Sequence, residues 1–258
     1  MLNRVTAYLK NGSMRHRGSE TTEDGYRGIP ADAATGVHEA VVDSLKEILP
    51  SGGRVADIGA GRGALSLRLA DAGFEVVAFD LDNADWSVPD MQCYEVDVNT
   101  SAGLQAVASR GPYDAIVSVE VIEHLENPRQ FLKSLLQLAR QSAAPVVLST
   151  PNPLDTFSAI SFFRRGIFNW FSPAHYSGGG HISILPYWLI NEHLMYLGIE
   201  ADQIHWKFLA PWKAPRLLTR VIYRGIQAVH RIVTCHIVVD YTDGQTAIVV
   251  IKRRMNDS

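Results

Sequence analysis

The stretch that decides the fold is VADIGAGRGALSLRLADAGFEVVAFDLD, residues 55–82. An apolar run passes through Gly59, Gly61 and Gly63 into an amphipathic helical pattern, and a second apolar run follows. Glycine lets a strand turn sharply into a helix and lets a ligand approach the backbone closely. Asp80 ends the second run, where a carboxylate can accept hydrogen bonds from both hydroxyls of a ribose. The stretch therefore predicts a nucleoside-binding turn at one edge of a sheet.

Strands and helices alternate along the rest of the chain. The apolar runs predict strands at residues 54–60, 74–80, 92–98, 113–119, 145–151, 199–208 and 246–253. Helical periodicity predicts helices within residues 31–50, 63–73, 128–141 and 186–198, the third starting at Asn127 as N-cap and Pro128 as first residue. Apolar strands separated by amphipathic helices are typical of a doubly wound, mostly parallel sheet in an α/β fold.

Composition narrows the function classes. The chain has 258 residues, of which 47% are hydrophobic and 20% charged, as in a globular protein with a sizeable core. A net charge of −3 argues against nucleic acid as partner. Cys93 and Cys235 fit no metal-ligand spacing, and no apolar run reaches the roughly 18 residues that span a bilayer. We therefore expect a cytoplasmic protein with reduced cysteines.

Three segments depart from the alternating pattern. Residues 1–30 are polar and predict a flexible N-terminal lead-in to one domain over residues 31–258. Residues 152–180 form an insert rich in glycine and proline, expected to be a lid or substrate loop. Its aromatic residues suit either an acceptor pocket or a satellite core: Phe157, Phe162, Phe163, Phe168, Trp170 and Phe171. Residues 207–232 are basic and amphipathic, which suits either peripheral contact with the inner face of a membrane or packing on the domain.

Two further acids bear on the type of cofactor. Gly59, Gly61 and Ala64 match the dinucleotide fingerprint, so the glycines alone leave a nicotinamide oxidoreductase open. Asp57 lies inside the first strand, where a carboxylate would repel a pyrophosphate but can hold the ammonium group of S-adenosylmethionine. Asp97 follows the third strand, where it can accept a hydrogen bond from an adenine amine. These acids favour S-adenosylmethionine.

The chain resembles the class I S-adenosylmethionine-dependent methyltransferases over roughly residues 37–251. The motifs are DIGAGRG, the acid at Asp80, VDV at Asp97, and YDAIVSVEVIEHLENP, which with STPNP is similar to the ubiquinone-biosynthesis O-methyltransferases. The resemblance implies a Rossmann-like sheet of seven strands with the last one antiparallel. It also implies a cofactor site made of Asp57, Gly59, Gly61, Gly63, Asp80 and Asp97.

The motif EVIEHLENP supplies candidate catalytic groups. Glu120, Glu123 and His124 follow the fourth strand, at the carboxyl edge where open α/β sheets bind ligands. The ExxEH pattern also resembles the metal site of small-RNA 3′-terminal 2′-O-methyltransferases, in which a later histidine completes the set. That resemblance implies His181 as the fourth ligand of Mg²⁺, Mn²⁺ or Zn²⁺, with His175 as a substitute.

These residues predict an O-methyltransferase, with three uses of the cluster left open. A metal ion can assist at a diol or catechol-like acceptor, His124 or His181 can act as a metal-free base, or Glu120 can merely shape the cofactor pocket. The expected acceptor is a small molecule, a glycan or a lipid-linked compound, and Asn152 is a candidate acceptor contact. An RNA 3′-terminal ribose and a non-catalytic S-adenosylmethionine-binding partner protein are the alternatives.

Overall fold

The computed structural model describes residues 25–209, 224–225, 228–229 and 244–252. Its strands are β1 (Gly25–Tyr26), β2 (Ile29–Pro30), β3 (Arg54–Ile58), β4 (Glu75–Asp80), β5 (Cys93–Glu95), β6 (Ala115–Val119), β7 (Val146–Pro151), β8 (Ile204–Leu209) and β9 (Thr246–Ile251). Its helices are α1 (Val37–Ile48), α2 (Ala64–Asp71), α3 (Ser101–Ala108), α4 (Pro128–Ser142), α5 (Thr156–Arg165), α6 (Pro173–Gly179) and α7 (Tyr187–Tyr196). Two short 3₁₀ turns lie at Ile122–His124 and Ala201–Gln203.

Seven strands form one mixed sheet in the order β5-β4-β3-β6-β7-β9-β8. Strands β3 to β7 pair in parallel, whereas β9 pairs antiparallel with both β7 and β8. The predicted doubly wound sheet with an antiparallel last strand is confirmed. The strand order reverses between β3 and β6, and ligands of open α/β sheets bind outside the carboxyl ends of the strands at such a point.

Helices cover both faces of the sheet because alternate strand side chains point to opposite sides. On one face, Ile58, Ile116 and Leu148 pack with the apolar residues of α4 and α7. On the other face, Val55 and Val117 pack against α1 and α2. Burial of strand residues on both sides explains the uninterrupted apolar runs of the sequence.

Helix starts follow local capping chemistry. Asn127 caps α4 by accepting a hydrogen bond from the Gln130 amide, with Pro128 at the first position, as predicted. The sequence did not lead us to expect α3, whose cap is Thr100, accepting from the amide of Gly103.

The structure differs from expectation in two of the unusual segments. The insert holds two helices, α5 capped by Asp155 and α6 capped by Ser172, where we expected a loop. Residues 25–30 form the β1–β2 hairpin, in the part of the chain expected to be a flexible lead-in. Tyr26 anchors this hairpin by donating to Asp71 at 2.8 Å. Residues 1–24 lie outside the described part of the chain, as does most of the basic segment 207–232.

Candidate active site

The glycine turn joins β3 to α2 and is tied to the neighbouring strand. The amides of Gly59 and Ala60 both donate to the Phe79 carbonyl, at 2.8 and 3.0 Å. The amide of Gly61 donates to Asp80 Oδ2 at 2.7 Å. Gly59 has a φ of 81° and Gly63 a φ of 93°, a backbone region that favours glycine. The turn and its acid are therefore built as one unit.

Asp57 lies beneath this turn and is 1% exposed. The Ser66 hydroxyl, on α2, donates to Asp57 Oδ2 at 2.6 Å. Burial raises the pKa of Asp57 to about 7; the Ser66 hydrogen bond opposes this rise and the negative charge of Asp80 adds to it. A cation beside Asp57 would relieve that cost, so this carboxyl suits an ammonium group. Ser66 was not predicted, although a hydroxyl one turn into the helix was the available signal.

Asp97 lies beside Asp80 at the same edge of the sheet. Strand β5 ends at Glu95, opposite Asp80, and the amide of Val96 donates to the Asp80 carbonyl at 2.6 Å. Asp97 follows two residues after the strand, and its Oδ1 accepts from the Asn99 amide at 2.9 Å. The predicted cofactor residues thus come together along the carboxyl ends of β3, β4 and β5.

Glu120 begins the turn after β6 in a strained conformation. Its φ of 54° is unusual for a residue with a side chain. Ser149 on β7 holds it from two sides. The Glu120 amide donates to Ser149 Oγ at 3.1 Å, and that hydroxyl donates to Glu120 Oε1 at 2.7 Å. Ser149 is therefore a positioning residue, signalled only by its place at the end of β7.

The next residue connects this turn to the glycine turn. A Cβ atom added to Gly59 would lie 2.2 Å from Cγ2 of Val121. The two turns are therefore in van der Waals contact, and the space for Val121 exists because residue 59 is glycine. This contact places the ExxEH segment directly beside the candidate cofactor site.

Glu123, His124 and His181 form a compact cluster. One potential ligand atom from each lies within 4.8 Å of the others. The carboxyl group of Glu123 is fully buried; Oε2 accepts from the Thr150 hydroxyl at 3.1 Å. Glu123 Oε1 has no hydrogen-bond partner within the described residues and lies 3.9 Å from His124 Nε2. Such an unsatisfied buried oxygen is costly unless a cation or a proton occupies it.

His181 reaches the cluster from the end of the insert. Its Nδ1 lies 2.8 Å from the carbonyl of Trp170. Since a carbonyl only accepts, Nδ1 carries the hydrogen, and in the neutral imidazole Nε2 is then the nitrogen with the lone pair that can bind a metal. The amides of Ile182 and Ser183 donate to the Glu123 carbonyl at 3.0 and 2.9 Å. These bonds join segments almost sixty residues apart.

Burial makes ionisation costly for both glutamates, and the charge of Glu120 adds to that cost for Glu123. Burial raises the pKa of Glu120 to about 7, although the hydrogen bond from Ser149 lowers it. Burial and the charge of Glu120 raise the pKa of Glu123 well above its usual range. Near neutral pH Glu123 therefore retains a proton that a bound cation would displace.

The structure brings three of the four predicted ligands within reach of one ion. The Glu120 carboxylate instead accepts from Ser149, next to that cluster. His175 lies behind His181, with ring centroids 6.0 Å apart, and its Nδ1 is 2.7 Å from Ser172 Oγ. Asn152 is buried and donates to the Gly244 carbonyl at 2.7 Å, which gives it a structural role.

A sequence model described as a methyltransferase domain matches residues 32–198, more than half of the chain. The chain belongs to this methyltransferase family. Within the family, the ubiquinone biosynthesis O-methyltransferase of Xanthomonas axonopodis pv. citri (strain 306) is 26% identical over 172 residues, covering 64% of this chain and 70% of that protein. The enzyme of the same name from Azoarcus sp. (strain BH72) is 34% identical over 107 residues, covering 40% and 46%.

A third relative with this name, from Caulobacter sp. (strain K31), is 27% identical over 125 residues. This methyltransferase chain spans 50% of that relative's length, and the match covers 46% of the chain. Among solved structures, an S-adenosylmethionine-dependent methyltransferase from Archaeoglobus fulgidus superposes with a TM-score of 0.54 at 20% identity. That superposition covers 83% of this chain and 94% of the other, and it shows the shared fold.

Proposed function

We propose that this chain transfers the methyl group of S-adenosylmethionine to a hydroxyl oxygen of an acceptor. Membership of the methyltransferase family supports the reaction class. The names of its curated relatives support oxygen as the receiving atom. The contact between Gly59 and Val121 supports a shared site, because it sets the candidate cofactor turn against the ExxEH turn.

The roles of the cofactor-side residues follow from charge and position. S-adenosylmethionine supplies an activated methyl group, so the protein must orient it and align the acceptor. Asp80 offers carboxylate oxygens to ribose hydroxyls, and Asp97, beside it, offers one to the adenine amine. The buried Asp57 carboxyl suits the methionyl ammonium group. The glycines let the backbone approach the cofactor without side chains in the way.

The acceptor hydroxyl must lose a proton as the new bond to carbon forms. Glu120 can accept it, because burial brings the pKa of its carboxyl to about 7, near the pH at which a general base works best. Ser149 holds the carboxyl group in one orientation during that transfer. The His124 and His181 imidazoles are the metal-free alternatives for this role.

We further propose that Glu123, His124 and His181 bind a divalent cation. The observation that carries this proposal is the buried Glu123 Oε1, which has no hydrogen-bond partner in the described part of the chain and faces two imidazoles. One carboxylate and two imidazoles suit Mn²⁺, Co²⁺ or Zn²⁺ better than Mg²⁺, which prefers oxygen ligands. A cation held there would stabilise negative charge developing on the acceptor oxygen.

Aromatic rings beside the cluster support one class of acceptor. The rings of Phe171 and His181 lie 5.8 Å apart, and those of Trp170 and His175 5.6 Å apart. Such a wall favours a planar aromatic hydroxyl compound, such as a catechol, free or carrying a lipid chain. Glycan hydroxyls and an RNA 3′-terminal ribose are the other acceptors to include in an assay.

Calorimetry followed by an assay tests this proposal. The full chain should bind S-adenosylmethionine and not NADH. Chelation should remove methyl transfer to a catechol, and Mn²⁺ should restore it. Undiminished transfer after exhaustive chelation would contradict the proposed metal site and leave a histidine or Glu120 as the general base. Cofactor binding without transfer to any catechol, glycan or RNA acceptor would instead favour a non-catalytic partner protein.

A further inference from the structure

The insert presents an unusual surface next to the candidate site. Of the ten exposed large hydrophobic side chains among the described residues, six fall within residues 162–188. They are Phe162, Phe163, Tyr176, Ile182, Ile184 and Trp188. Three of them lie in the insert and three in the residues that follow it, up to Trp188 at the start of α7; we call these six side chains the insert face. A concentration of exposed hydrophobic side chains in one stretch of the chain is typical of a binding surface.

Helix α5 distributes its polar and aromatic residues in the opposite way to an ordinary surface helix. It buries the small polar residues Ser158 and Ser161 and exposes Phe162 and Phe163, the latter to 93%. The buried hydroxyls have structural partners: Ser158 Oγ accepts from the Asn169 amide at 2.9 Å, and Ser161 Oγ donates to the Ile167 carbonyl at 2.6 Å. The helix therefore has one fixed orientation, in which Phe163 points away from the protein. Phe162 is 49% exposed and stacks on Phe168, with ring centroids 4.6 Å apart.

The charge of this region differs from that of the whole chain. Residues 156–191 contain no aspartate or glutamate, although the chain carries a net charge of −3. Arg164 and Arg165 follow the two phenylalanines and are exposed. Within the described part of the chain, no carboxylate lies within 4.0 Å of either guanidinium. Exposed aromatic and cationic groups without acids complement an anionic surface.

We propose that the insert face docks this protein on an anionic lipid bilayer, with Phe162 and Phe163 entering the interface and Arg164 beside the lipid phosphates. A nearly fully exposed phenylalanine at a helix end protrudes, as insertion into a bilayer requires. A second copy of the chain is a poor partner for the insert face, because its own insert face carries the same cationic charge and would be repelled. Because the amides of Ile182 and Ser183 bind the Glu123 carbonyl, docking would bring the candidate acceptor cluster close to the membrane surface.

Sedimentation of the full chain with vesicles tests the proposal without cofactor or acceptor. The protein should bind vesicles that contain phosphatidylglycerol, bind phosphatidylcholine vesicles weakly, and lose affinity as salt screens the charges. Phe163→Ser should weaken binding roughly tenfold or more, given the hydrophobic area it removes. Arg164→Gln should weaken binding to the anionic vesicles by roughly fivefold.

Met195→Ser is the matched control, since Met195 is 48% exposed on α7, outside the insert face. It should leave vesicle binding unchanged, and circular dichroism should show that all three variants fold. Two results would overturn the proposal. One is no binding of the wild type, or equal binding of wild type, Phe163→Ser and Arg164→Gln. The other is a lipid-free dimer that Phe163→Ser dissociates, which would make the insert face a contact between two copies.

Discussion

The glycine turn, proposed above as the cofactor turn, and the group Glu123, His124 and His181, proposed as the acceptor cluster, lie at the same edge of the sheet but are built differently. In the cofactor turn, Asp80 and Gly61 are nineteen residues apart and joined by one hydrogen bond. In the acceptor cluster, Glu123 and His181 are almost sixty residues apart, and backbone bonds from Ile182 and Ser183 bring them together. The first site needs only a strand, a turn and a second strand, whereas the second needs the folded insert.

This difference means that the two sites should respond differently to mutation. Damage to the insert should weaken the acceptor cluster and spare cofactor binding. Damage at Gly59 should affect both, because Val121 joins the two turns. The predictions below test that asymmetry, beginning with the largest expected effect.

Glu123→Gln should reduce methyl transfer more than about 100-fold, since even residues that merely support a metal ligand cost about 10–100-fold. Affinity for S-adenosylmethionine should stay within a few fold, because Glu123 belongs to the acceptor cluster. Kinetics and calorimetry on one preparation measure both. Glu126→Gln, on the same turn but exposed, is the control and should remain active. A parallel loss of cofactor affinity in Glu123→Gln would show that the two sites are not separable.

Gly59→Ala should lower the free energy of unfolding by roughly 2–5 kcal/mol, from left-handed backbone strain and crowding against Val121. Urea unfolding measures this change, and calorimetry should show weaker cofactor binding. Gly73→Ala is the control, because its φ of 96° is equally unfavourable but no atom lies within 4 Å of an added Cβ. Val121→Ala should recover part of the loss in a double-mutant cycle. Additive effects would mean that the two turns are not coupled.

Asp155→Asn should change how stability depends on pH. Asp155 is fully buried, and burial raises its pKa to about 7, against hydrogen bonds from the amides of Ser158 and Phe157. The folded pKa lies above the unfolded value of 3.8, so the sign of the effect follows directly. This carboxyl does not reduce the free energy of unfolding below pH 4, and it reduces that free energy increasingly as pH rises to 7.

The free energy of unfolding of Asp155→Asn, relative to that of the wild type, should therefore increase by on the order of a few kcal/mol from pH 4 to pH 8. Urea midpoints across that range measure the change, and the exposed Asp202→Asn should show no comparable trend. Cofactor affinity should be unaffected at either pH. If the stability of Asp155→Asn changed with pH in parallel with that of the wild type, the Asp155 carboxyl would not titrate between pH 4 and pH 8.

Asn127→Ala should have the smallest effect. Loss of the cap on α4 should cost about 1 kcal/mol of stability. Neither cofactor affinity nor acceptor turnover should change, since the side chain contacts neither site. Thermal unfolding measures the loss, and Asn127→Ser, which keeps a capping oxygen, should restore most of it. A change in catalysis without a change in stability would contradict this purely structural role.

Prediction succeeded where the chemistry is local. Apolar runs predicted the strands, Asn127 and Pro128 predicted the start of α4, and the glycine spacing predicted the turn between β3 and α2. It failed where a short helix carries weak periodicity, as in α3, and where aromatic and small residues suggested a loop instead of α5 and α6. It also missed Ser66 and Ser149, because the position of a serine in a helix or strand does not show which carboxylate its hydroxyl will contact.

The sequence by itself determined the doubly wound sheet, the sharp glycine turn and the acids near it at the edge of the sheet. These features depend on strand period, on glycine and on carboxylates that follow strands, all of which act over short distances along the chain. Only the tertiary structure decided that Glu120 turns to Ser149 while Glu123 faces His124 and His181. Only the tertiary structure, too, decided that α5 exposes Phe163 almost completely while it buries Ser158 and Ser161. Both outcomes depend on contacts between segments far apart in the chain, whose geometry is set by packing and hydrogen bonding rather than by local spacing.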